Sequence, residues 1–188
     1  MEPYEAIAAY TPWNEQEARD RELILAYLAA HEDAFLRSDL PAHVTASAWV
    51  VNPARDKVLM AFHKLYGSWA WIGGHADGDT DLLAVALREL REETGVAHAR
   101  PVSTEIYSLE VLTVDGHEKR GAYVPSHLHL NVTYLLEAGE DERLHVCEAE
   151  NSAVRWFGLE EAVAASTEPW FAERIYRKLN AKLRSFTP

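Results

Sequence analysis

Three glutamates lie within five residues of one another: Glu89, Glu92 and Glu93, in the run Arg88-Glu89-Leu90-Arg91-Glu92-Glu93-Thr94-Gly95. On a helix turning about 100° per residue they fall within one arc, while Leu82, Leu83, Ala86, Leu87 and Leu90 fill the adjoining one. Like charges stacked in one turn repel, and near a helix C-terminus the macrodipole adds to the cost. A divalent cation that prefers oxygen ligands removes the repulsion, and Mg²⁺ characteristically takes one or two carboxylates together with water and substrate phosphates. Arg88, one turn before Glu92, is placed to hold that carboxylate. The same face would also serve as a solvated acidic surface with local Arg–Glu pairs, so the helix alone leaves both readings open.

The segment before the helix is Gly73-Gly74-His75-Ala76-Asp77-Gly78-Asp79-Thr80-Asp81. Taken together, Gly74-x5-Thr80-x7-Arg88-Glu89-Leu90-x-Glu92-Glu93-x-Gly95-Val96 resembles the Nudix box, G-x5-E-x7-R-E-U-x-E-E-x-G-U with U a bulky apolar residue. Thr80 stands where that motif has glutamate, and the flanking Asp79 and Asp81 are the nearest carboxylates. The later run Ala153–Glu161 resembles the strand and helix that close Nudix domains. The resemblance implies an α/β fold, the Nudix α/β/α sandwich with a mixed sheet, here with an extra N-terminal helix. It implies metal-dependent hydrolysis of a nucleoside diphosphate linked to some group X, or of a related pyrophosphate. Carried over, Glu89, Glu92 and Glu93 are metal ligands, Glu89 being alternatively the base, and Arg88 orients a carboxylate. The Gly73 carbonyl also touches metal, the cofactor is Mg²⁺ or Mn²⁺, and Glu150 is the further glutamate that such enzymes supply from a late loop. The partner is a small diphosphate compound, and the resemblance is compatible with a homodimer.

Other residues carry weaker signals. His127 and His129 project from one face of a strand, a spacing that suits a metal pair or two phosphate-facing donors, although no third ligand is fixed by the sequence. His75 follows the double glycine within reach of phosphates. Trp69 and Trp71 alternate on one face, for stacking on a base or for core packing. The loop Asp115–Gly121 carries Lys119 and Arg120, a pair able to clamp a terminal phosphate. His43 and His63 read as structural.

Around these residues the chain supplies a recognisable set of elements. Asn14, with Glu17 as a capping-box partner, starts a helix from Glu15 to about Arg37. Strands are expected at Val44–Val51, Lys57–His63, Trp69–Ile72, Ile106–Val114, Ser126–Leu136 and Ala153–Phe157, with a turn at Asn52–Asp56. Helices are expected at Asp81–Thr94, Leu159–Ala165 and Pro169–Arg184, and a polar loop at Asp115–Pro125. The organisation is an N-terminal arm and helix over residues 1–40, packed on a single globular unit over 41–188.

The 188 residues are 48% hydrophobic and 26% charged, enough for one substantial core. A formal net charge of -12 argues against a nucleic-acid polymer as partner. One cysteine, Cys147, excludes an internal disulfide. No apolar run is long enough for a membrane helix, so a cytoplasmic protein without membrane contact is expected. Two other functions remain in view. One is a non-catalytic nucleotide sensor, for which Thr80 leaves room. The other is an isopentenyl diphosphate isomerase-like enzyme, which needs a pocket cysteine; Cys147 falls late, away from the box.

Overall fold

A computed structural model describes residues 2–119 and 121–185. Two helices lead, α1 (Pro3–Ala9) and α2 (Glu15–Ala30), followed by β1 (Ala42–Val51), β2 (Lys57–His63), β3 (Ser68–Ala70) and β4 (Ile72–His75). After α3 (Leu82–Thr94) come β5 (Arg100–Pro101), β6 (Ser108–Val114), β7 (His117–Lys119), β8 (Ala122–Val124), β9 (His127–Glu137) and β10 (Asn151–Gly158). The chain closes with α4 (Leu159–Ala165), a π-helical turn at Phe171–Tyr176, and α5 (Arg177–Ser185).

The mixed sheet runs β10-β2-β1-β9-β5, with β3 on β2, β4 on β1 and β6 on β9. The strand β1 is parallel to β9 and antiparallel to β4. Alternation divides these strands between two cores. Val44, Ala46, Ala48 and Val50 of β1 join Leu130, Val132, Tyr134 and Leu136 of β9 under α3 and α2. The opposite faces end in Trp49, Val51 and Leu135, which pack with Tyr176, Leu179 and Leu183 from the C-terminal segment. The result is the expected α/β sandwich. At the other ends of the same two strands that second face carries His43, Thr45 and Ser47, and His129 and Asn131, which line a cavity instead of a core.

Local signals account for the element ends. The Asp81 side chain caps α3 by accepting from Ala84 N at 3.0 Å, and Gly95 ends it at φ 76°, a conformation costly for residues with a Cβ. Asn14 Oδ1 accepts from Glu17 N at 3.0 Å, as anticipated. The reciprocal half of the capping box is absent, because the Glu17 carboxylate is used elsewhere: it accepts from Trp13 N at 2.7 Å and from Lys182 Nζ at 2.9 Å. The helix α2 stops at Ala30 and not near Arg37, and residues 32–40 turn back toward the cavity. The expected polar loop contains the hairpin β7–β8. The predicted C-terminal helix is interrupted by the π-helical turn, where Arg177 N donates to the Ala172 carbonyl five residues back. Among the described residues no helix is long and apolar enough to cross a membrane.

The N-terminal helix is tied in by buried charge. Glu17 Oε1 lies 3.2 Å from Lys178 Nζ and accepts from Ser108 Oγ at 2.7 Å. Ser108 also bonds Glu110, and Glu110 Oε2 accepts from Asn131 Nδ2 at 3.0 Å and Thr133 Oγ1 at 2.8 Å. Asn131 Oδ1 in turn accepts from Thr45 and Ser47, each at 2.9 Å. An uninterrupted chain of buried hydrogen bonds thus runs from α2 to the cavity wall.

Candidate active site

The carboxylate face of α3 meets the strand β4 at the two glycines. A Cβ on Gly74 would collide with the Glu89 carboxyl, and one on Gly73 would lie 2.7 Å from the Ala46 carbonyl and 2.8 Å from Ser47 Cα. Removing both side chains is what lets β4 pair with β1 while α3 packs over it.

Glu93 is the most constrained member of the box. It is 5% exposed, and its Oε1 accepts from Gly73 N at 3.0 Å while Oε2 accepts from Asn151 Nδ2 at 2.8 Å. Burial pushes its carboxyl up to about 8 against the pull of these two neutral donors. Burial also raises the Glu89 pKa, opposed by Arg88, whose Nη2 donates to Glu89 Oε1 at 3.1 Å and to the His75 carbonyl at 3.2 Å. Arg88 therefore orients Glu89 directly; Glu92, the partner expected for it, is exposed and 4.0 Å away.

A cavity of 410 Å³ opens over these groups. Gly73, His75, Glu89, Glu93, His127, His129, Trp71 and Glu150 all line it. Glu92 and Arg88 instead line an adjoining depression, whose wall also includes Glu89, Glu93 and Glu150. Glu89, Glu93 and Glu150 thus stand where the two spaces meet. Trp69 is placed elsewhere: it packs edge-on against Phe62 and Phe157, with the Arg155 guanidinium beside it. Trp71 packs edge-on against Phe171 and Tyr176 at the cavity wall.

The box position held by Thr80 is exposed, and its two acidic neighbours have diverged in role. Asp81 is committed to capping α3. Asp79 lines the depression with its Oδ2 3.8 Å from Arg88 Nη1. Cys147, expected to lie away from the box, lines the same depression, and its backbone N donates to the Glu93 carbonyl at 3.3 Å.

Several lining residues carried no signal that the sequence reading used. Arg37 grips Asp77 through both carboxylate oxygens, at 2.6 and 2.5 Å, and borders both spaces. His63 stacks on Tyr66 with centroids 4.5 Å apart. His43, read as structural, faces the cavity in β1, directly across from His129 in β9. Its signal was available: His43, Thr45 and Ser47 are polar residues at alternate positions of an otherwise apolar strand. Lys119 lines the cavity, while its expected partner Arg120 lies outside the described residues.

Residues 41–179 match the family model described as the NUDIX domain. The chain is 32% identical over 116 residues to bis(5'-nucleosyl)-tetraphosphatase [asymmetrical] of Mus musculus, covering 58% of this chain and 72% of that protein. The protein of the same name from Rattus norvegicus is 28% identical with the same coverage. Among solved structures, a C. elegans Ap4A hydrolase binary complex superposes with a TM-score of 0.56 at 17% identity, covering 76% of this chain and 99% of that one. A NUDIX-family hydrolase from Clostridium perfringens superposes at 0.52 with 20% identity, covering 76% and 97%, and both likenesses concern the fold. With the box on α3, the double glycine beneath it and the matching sandwich, the chain belongs to the Nudix family and is a hydrolase of phosphoric anhydride bonds.

Proposed function

We propose that the protein is a divalent-metal-dependent pyrophosphohydrolase that cleaves the phosphate bridge of a dinucleoside polyphosphate, with a bis(5'-nucleosyl) tetraphosphate as the first candidate. The observation that carries the reaction class is the convergence of Glu89, Glu93 and Glu150 on one cavity floor, with Glu92 at the adjoining depression. The substrate class rests on the mammalian relatives and on a cavity lining that includes the exposed rings of Tyr66 and Tyr123, aromatic surfaces suited to bases.

The donor set fits Mg²⁺ or Mn²⁺. It is all oxygen, and Glu93 is a buried carboxyl whose two oxygens are bonded by neutral donors, a backbone N–H and an amide. Glu89, Glu92, Glu93 and the Gly73 carbonyl would hold the ion. When bound, the cation neutralises phosphate charge and lowers the pKa of water. The chain's own groups do the rest. Arg88 fixes Glu89, which stands ready to take the proton of the attacking water. Asn151 and Gly73 N hold Glu93 in one rotamer. Glu150, which lines both spaces, is the alternative base.

The test is product analysis by mass spectrometry after incubation with dinucleoside polyphosphates and Mg²⁺ or Mn²⁺, with a Glu93→Gln control. Off-centre cleavage of a tetraphosphate yields a mono- and a triphosphate, whereas central cleavage yields two diphosphates. Turnover that needs added metal and disappears in Glu93→Gln is expected. Equal turnover by Glu93→Gln would sink the assignment of the site. Stabilisation by nucleotide without turnover would favour a sensor.

A further inference from the structure

The cavity holds a second set of donors that box chemistry does not use. His129, His43 and His75 lie on three adjacent strands, β9, β1 and β4. His43 is paired in register with His129, and His75 with Thr45, the next residue on the same face of β1. One nitrogen from each ring lies within 4.8 Å of the others. The ring centroids are 5.2 Å apart for His43–His129, 5.1 Å for His43–His75 and 4.8 Å for His75–His129.

The hydrogen bonds around the His43 and His129 rings leave a lone pair free on each. His43 Nδ1 lies 3.1 Å from the Asp39 carbonyl, which can only accept, so the proton sits on Nδ1 and the lone pair on Nε2. His43 Nε2 is buried and has no hydrogen-bond partner. Such an orphan is costly in an interior unless something occupies it. His127 Nδ1 lies 2.9 Å from the Pro125 carbonyl, and its Nε2 lies 3.2 Å from His129 Nε2. By the same logic His127 accepts at Nε2, His129 donates there, and the free lone pair of His129 is on Nδ1. A ring held by a carbonyl on one nitrogen and free on the other is the usual condition of a metal-ligating histidine.

We infer that His43, His75 and His129 form a nitrogen-donor site for a first-row transition-metal cation of the Zn²⁺ kind, separate from the carboxylate site and opening onto the same cavity. Imidazole suits Zn²⁺, Co²⁺ or Ni²⁺, while the oxygen set on α3 suits Mg²⁺ or Mn²⁺, so the two sites select different ions. Three protein ligands leave a fourth position open toward the cavity, for water or an anionic oxygen of a bound phosphate compound. His127 acts through His129 as a positioning residue. The neighbouring Arg37 guanidinium is already matched by Asp77, so it does not bar a dication. The inference stands whether or not the hydrolysis proposed above is correct, because it uses none of the box carboxylates.

The test uses the untagged, metal-stripped 188-residue chain and Co²⁺ as the probe. Wild type is expected to take up one equivalent with an intense visible band, typical of few-coordinate nitrogen ligation, that Zn²⁺ displaces. The band should vanish in His43→Gln and in His129→Gln and persist in Glu92→Gln. X-ray absorption on Zn²⁺-loaded wild type needs no variant, and should show imidazole scattering with Zn–N near 2.0 Å. No band in wild type, a band that survives both histidine substitutions, loss of the band in Glu92→Gln, or an oxygen-only shell would each overturn the inference.

Discussion

Asn151 at the start of β10 donates to Glu93 at the end of α3, at 2.8 Å, although 58 residues separate them in sequence. This bond, with Gly73 N on the other oxygen, fixes the one box carboxylate that is fully inside the protein. Asn151→Leu removes the donor while keeping the volume, and leaves Glu93 with half its partners. Groups that orient metal ligands typically matter by about 10–100-fold. The expected outcome is a kcat lower by that order with KM little changed and an unaltered circular dichroism spectrum. A variant with wild-type kcat would show that Asn151 does not position Glu93.

The two box glycines should respond differently to the same added methyl. At Gly74 the group in the way is the end of the Glu89 side chain, which can swing aside. Gly74→Ala is therefore expected to keep most of its thermal stability while losing at least about tenfold in metal-dependent turnover. At Gly73 the obstacles include backbone, the Ala46 carbonyl and Ser47 Cα. Overpacking against atoms that cannot move costs about 1–3 kcal/mol, so Gly73→Ala should lower Tm by several degrees. Calorimetry and steady-state kinetics on both variants separate the two effects.

Acid should loosen the N-terminal helix. Burial alone would raise the Glu17 pKa, but the Lys178 and Lys182 ammonium groups and the Tyr10 hydroxyl hold it at about 2, below its ordinary 4.5. A depressed folded-state pKa means stability present above about pH 4.5 and lost as pH falls through 2. Chemical denaturation should thus show a fall in unfolding free energy over that window in wild type. Glu17→Ala takes from the buried Lys182 ammonium the carboxylate it pairs with, while Lys178 keeps Glu110 at 2.8 Å, and should cost about 3–5 kcal/mol at neutral pH. It should also flatten the acid dependence, and an unchanged acid profile would assign the effect to other carboxylates.

Restoring the family glutamate should change little. Thr80 is exposed, and Asp79 already brings a carboxylate to the depression beside Arg88. Thr80→Glu is expected to alter kcat/KM by less than about threefold, and Asp79→Asn by more. A large gain in Thr80→Glu, measured on the same substrate, would mean that Asp79 does not substitute.

What the amino-acid order determined by itself was local. The span of α3, its Asp81 and Gly95 ends, the shared arc of Glu89, Glu92 and Glu93, and the two faces of β9 all follow from periodicities and capping rules that act within a few residues. Tertiary structure decided the rest. His43 looks like any strand histidine until β1 is laid parallel to β9, which brings it opposite a residue 86 positions away. Asn151 becomes a partner of Glu93 only when β10 pairs with β2. Glu17 reads as a capping residue and is in fact the anion for two lysines of α5. These pairings depend on strand register and on packing between distant segments. Such contacts form through the burial of whole faces, and no short-range pattern in the chain encodes which distant residue will arrive.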